Sequence, residues 1–127
     1  MRVLIFFLFA IHSSANADTC IITDEMMEEV QSKYYDHIEI ETSLVDSKYL
    51  VTINLPREIE NQKLYSVFFA SDNEKNPSFV APLEVIYAKE KVSTWYQVEA
   101  NQIKKHFIIV GVKGICAPSI IKEVSYK

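Results

Sequence analysis

His106-Phe107-Ile108-Ile109-Val110-Gly111-Val112-Lys113-Gly114-Ile115-Cys116 is the stretch that decides the fold. Its apolar, largely β-branched residues occupy both parities, so neither face of a strand built from it is polar. That pattern belongs to a central strand covered on both sides. The run ends at one of only two cysteines, and the other, Cys20, lies far away toward the N-terminus. Together they imply a domain whose ends are pinned around a buried strand.

Residues 1–17 read as a signal peptide that is cleaved. Arg2 supplies the positive start, Val3 to Ile11 carries no charge, and Ala15-Asn16-Ala17 is a small-x-small cleavage site. The apolar run is too short to span a bilayer, and no positive stop-transfer flank follows it. The expected mature chain, residues 18–127, is exported to the periplasm or the extracellular space, with no stable membrane insertion. It divides into an N-terminal segment, 18–36, with a short helix, and a β domain, 37–127, folding as one unit with it. An oxidising compartment makes Cys20 and Cys116 an expected disulfide. In the chain-entropy model, closing a loop of roughly 100 residues stabilises by about 4–5 kcal/mol. Gly114-Ile115-Cys116-Ala117-Pro118 offers only Lys113 to activate a thiol, which argues against a reactive cysteine.

Charge is unevenly distributed. Residues 18–87 hold 14 acids and 5 bases, a net of −9, whereas residues 88–127 hold 3 acids and 7 bases, a net of +4. An acidic chain of this kind is not expected to bind nucleic acid. With two glycines in the whole chain there is no phosphate-cradling loop, and turns fall to Asn, Asp, Ser and Pro.

Thr23 to Tyr35 reads as a helix. Thr23 is placed to cap it, Asp24 and Glu25 favour the positive end of its dipole, and Glu29 and Lys33 are spaced as an ion pair. Ile22, Met26, Val30 and Tyr34 form its apolar stripe, with Met26-Met27 expected to pack in the core rather than bind a metal. From Ile38 the period becomes two. Ile38, Ile40, Thr42 and Leu44 alternate with polar residues, as do Tyr49, Val51, Ile53 and Leu55 after the Asp46-Ser47 turn, and Pro56 ends that hairpin. Leu64–Ala70 is a second candidate central strand. Leu83–Ala88, Val92–Glu99 and Ser119–Tyr126 complete the count.

The fold expected is all-β with a short N-terminal α-helix: a single antiparallel β-sandwich of about seven strands. In strand count and alternation it resembles the immunoglobulin-like and fibronectin-like sandwiches. Antibody-type domains carry a cysteine on the second strand and a tyrosine two residues before the next cysteine. Here Tyr49–Leu55 has no cysteine and Gly114 stands two before Cys116. The bridge is therefore expected to tie the helix to the turn before the last strand.

No catalytic residues, cofactor or metal ligands are expected. His37 and His106 lack ligand neighbours at zinc spacing and read as water-exposed strand starts; there is no G-x-S-x-G elbow. Glu39/Glu41 and Glu58/Glu60 read as solvated charges rather than an acid–base pair. In Val92-Ser93-Thr94-Trp95-Tyr96-Gln97-Val98, burying the valines with Thr94 and Tyr96 puts Trp95 outside with Ser93 and Gln97, whereas the other arrangement puts Trp95 in the core with Tyr96 outside and the valines half-covered. An outward tryptophan is a candidate binding surface. The expected function is a non-catalytic, monomeric binding module with a protein or surface ligand as its partner. Two alternatives stand beside it. From Gly114 to the penultimate Tyr126 the chain is similar to the C-terminal pattern of chaperone–usher pilins, which implies a structural subunit of a surface assembly. A secreted enzyme inhibitor is the other.

Overall fold

The computed structural model describes residues 21–63, 65–73, 76–111 and 118–127. The expected signal peptide and both cysteines, and with them the expected disulfide, lie outside the described residues. A helix α1 (Asp24–Tyr34) leads into eight strands: β1 (Glu39–Val45), β2 (Lys48–Leu55), β3 (Ser66–Ser71), β4 (Phe79–Leu83), β5 (Ile86–Tyr87), β6 (Val92–Glu99), β7 (His106–Gly111) and β8 (Ser119–Glu123). They form two antiparallel four-stranded sheets, ordered β1-β2-β6-β5 and β4-β3-β7-β8. The molecule is a β-sandwich.

The core follows from side-chain alternation. Val51, Ile53 and Leu55 of β2 and Val92 of β6 meet Val67 of β3, Ile108 and Val110 of β7 and Ile120 of β8, all buried. β7 is central in its sheet, between β3 and β8. Its other parity is covered too: Phe107 is buried and Ile109 half-buried, as a strand apolar on both faces requires. β3 is central for the same reason. Asp46 turns the β1–β2 hairpin at φ 55°, left-handed backbone that aspartate tolerates better than most residues.

Several details differ from the sequence reading. β4 is an eighth strand that Pro82 disguised. Proline cannot donate to a ladder, and it is accommodated because β4 is an edge, opposite Phe68 of β3. The expected strand Leu83–Ala88 is broken, because Leu83 ends β4 in one sheet and Ile86 starts β5 in the other. Met26 is exposed rather than in the core, since α1 lies along the edge of the sandwich and no residue of it is fully buried. Lys33 reaches Glu60 at 2.9 Å, across 27 residues, rather than pairing with Glu29 on its own helix.

α1 is capped as expected, the Thr23 hydroxyl accepting from the Met26 amide at 3.2 Å. Its task is to close the edge of β8. The Gln31 side-chain amide donates to the Ile121 carbonyl (2.5 Å) and accepts from the Ile121 amide (2.8 Å), filling the place of a neighbouring strand. Lys122 donates to the Tyr35 and Ile38 carbonyls at 3.0 and 2.7 Å and lies over the Tyr35 ring. This charge in an otherwise apolar parity serves the exit of the helix.

Candidate functional site

Two places concentrate polar and aromatic side chains. The first is inside, at one end of the sandwich. His106 shares the inward parity of Ile108 and Val110, so its ring enters the space between the sheets and is only 4% exposed. This corrects the expectation of a water-exposed strand start; His37 is exposed, but it ends a short 3-10 turn, Tyr35–His37, ahead of β1. The His106 Nδ1 meets the Tyr126 hydroxyl, and the Tyr126 and Tyr96 hydroxyls meet at 2.9 Å. The His106 ring stands edge-on to Phe69, and Tyr126 edge-on to Tyr49, with centroids 4.7 and 5.1 Å apart. The cluster thus joins β2, β3, β6, β7 and the C-terminal residues.

Burial holds the His106 imidazole below its ordinary value, and the Lys104 charge adds to this while Asp72 opposes it. Burial and donation to Tyr126 lift Tyr96 well above the ordinary phenol value; burial also raises Tyr126, although accepting from Tyr96 pulls it back. All three groups are therefore neutral at neutral pH. In the tautomer with Nδ1 as acceptor, Tyr96 donates to Tyr126 and Tyr126 donates to His106, so both hydroxyl protons are used. The cluster locks the C-terminal residues between the sheets.

The second place is the outer face of the β1-β2-β6-β5 sheet. Trp95 lies there, 54% exposed, with Ser93 half-covered and Gln97 exposed beside it on β6. Across the ladder Trp95 faces Thr52, Gln97 faces Leu50 and Ser93 faces both Asn54 and Ile86. Glu39 and Glu41 border the face on β1, and Asn54 donates to Glu41 at 3.4 Å. The Asn54 Oδ1 is covered yet has no hydrogen-bond partner. An indole framed by hydroxyls, amides and carboxylates on a flat sheet offers apolar area and hydrogen bonds together.

Alternation pointed to Trp95, Ser93 and Gln97; it missed Leu50, Thr52, Asn54 and Ile86. Those four are supplied by register with β2 and β5, which a single strand's pattern does not encode. Glu60 accepts from Lys33 and the Tyr34 hydroxyl, each at 2.9 Å. A shallow concavity of about 250 Å³, lined by Asp72, Asn73, Lys105, Phe107 and Glu123, has its charges engaged: Lys105 with Glu123 at 3.8 Å, and Asp72 with Ser78. Among the described residues, no group of three or more His, Cys, Asp or Glu stands close enough to hold a metal ion. None of their helices is long and apolar enough to cross a membrane. Compared with protein-family models, curated proteins and solved structures, the chain matches none.

Proposed function

We propose that this protein is an exported, non-catalytic interaction module that docks a protein partner on the outer face of the β1-β2-β6-β5 sheet, centred on Trp95. The observation that carries the reading is the placement of the only tryptophan: half its surface faces solvent on the outer face of the sheet, just past the end of the short β5. Covering an exposed tryptophan removes much apolar area from water at small entropic cost, which is why tryptophan dominates binding hot spots. The partner side supplies apolar contact for Leu50 and Ile86.

We further infer the immunoglobulin-like type. Lettering the strands A, B, C, C′, D, E, F, G in chain order gives sheets A-B-E-D and C′-C-F-G, and this order supports the assignment. The pilin-like alternative has less support. β8 is paired with β7 on one side, and on the other Gln31 bonds both backbone groups of Ile121, which blocks the middle of that edge.

The test is comparative capture from an exported-protein extract with the wild type, Trp95→Ala and a control on another face, Phe79→Ala. A partner retained by wild type and Phe79→Ala and lost with Trp95→Ala supports the reading. A partner held equally by all three contradicts it.

A further inference from the structure

Beside Trp95 the sheet has an open edge. In β6, Ala100 donates to Ser47 at 2.8 Å, and the register with β2 then directs the backbone groups of residues 92, 94, 96 and 98 toward β2. On the other side Ala88 donates to the Lys91 carbonyl at 2.9 Å, so the odd-numbered residues of β6 face β5. But β5 pairs only with Val92 and Ser93. The N–H and C=O groups of Trp95, Gln97 and Glu99 point to that side, and among the described residues no strand pairs with them there. The chain entering β5 does not fill the gap, since the Glu84 carbonyl accepts from the Thr94 hydroxyl at 2.7 Å instead.

Among the described residues, each of the other edge strands carries a device against pairing. β8 has Gln31, β4 has Pro82, β1 presents Glu39 and Glu41, and β5 is two residues long. The Trp95–Glu99 edge has no proline, no helix over it and an exposed tryptophan at its start. An edge with unpaired backbone groups and an apolar anchor is the recognition element for an added strand.

We propose that this edge accepts an extended segment of a partner polypeptide as a further strand beside β6, one apolar side chain resting on Trp95 and basic residues flanking it. The basic flanks follow from charge: Glu84 and Glu99 bracket the edge, and Glu99 is already shared with Lys48 at 3.3 Å. A second copy of the chain is the poorer occupant, because it brings the same carboxylates and a formal net charge of −4. The proposal rests on the reading of the Trp95 face as the docking surface and adds the form and charge of what docks.

The experiment uses the full exported protein and a short peptide of alternating threonine and valine with a lysine at each end. Two comparators are a twin with glutamate ends and a lysine-ended form N-methylated on alternate amides. Residue-resolved amide exchange is followed with each. The lysine-ended peptide is expected to slow exchange at Trp95, Gln97 and Glu99 by about tenfold or more while other amides change little. N-methylation should abolish that protection and glutamate ends should weaken it. Gln97→Pro should remove it too, taking away one outward N–H, and the N-methyl peptide gives the same information if that variant does not fold. Unchanged exchange at these three amides with saturating peptide overturns the added strand. Equal protection by the two charged peptides overturns the basic flanks. A dimer protected at the same amides without peptide assigns the edge to a second copy. If Trp95→Ala loses the captured partner yet no peptide protects the edge, the docking face stands and this proposal fails.

Discussion

His106 is a buried imidazole whose neutrality the fold depends on. If it is protonated, both ring nitrogens become donors, and one of the Tyr96 and Tyr126 hydroxyl protons is left without an acceptor inside the cluster. The sign of the pH effect follows. The unfolded chain takes up a proton near the ordinary histidine value of 6.5, and the folded chain only below it. His106 therefore contributes stability that is complete above 6.5 and declines as pH falls from there toward the depressed folded value. Thermal melts between pH 8 and pH 5 should show the melting temperature falling, with a shallower fall in His106→Gln; parallel profiles would contradict the assignment. Tyr126→Phe should cost about 1–3 kcal/mol in a urea melt, because it strands the His106 Nδ1 and removes the acceptor of Tyr96. Trp95 is the opposite case. Exposed on the outer face, it should tolerate Trp95→Ala at less than about 1 kcal/mol, whereas truncating a core tryptophan costs about 3–5 kcal/mol. The sequence allowed either parity, because burying one tryptophan or two valines with a tyrosine removes similar apolar area; the structure gives the inner face to Val92, Thr94 and Tyr96. The burial of His106 was not legible, although the same rule applied to Ile108 and Val110 gives it; the polar type of the residue masked its position.

Among the elements, the central strands were the most legible, since an apolar run on both parities has no other stable home. β4 and β5 were the least. Pro82 reads as a break unless the strand is known to be an edge, and a strand of two residues leaves no period to find. The role of α1 was also hidden. Thr23, Asp24 and Glu25 announce the helix, but nothing local says that Gln31 bonds to Ile121, 90 residues on. Two hydrogen bonds from one amide substitute for a strand there, so Gln31→Ala should destabilise by about 1–3 kcal/mol and expose the β8 edge to pairing. Urea unfolding measures the first effect and light scattering the onset of association. A variant as stable as wild type would mean that α1 closes nothing.

At the scale of the molecule, the charge asymmetry of the sequence is largely folded away, because β2 pairs with β6 and β3 with β7, and so the acidic and basic parts interleave. What remains uneven is the edges: among the described residues all but one carry a protecting device, and the exception lies beside the exposed tryptophan. That coincidence is the central claim, and amide exchange in the free protein tests it most directly. Along β6 the account predicts alternation, with Tyr96 and Val98 protected by β2 and Trp95, Gln97 and Glu99 exchanging rapidly. Uniform protection from Trp95 to Glu99 would mean that the edge is already occupied, and would contradict both the open strand and the surface built on it.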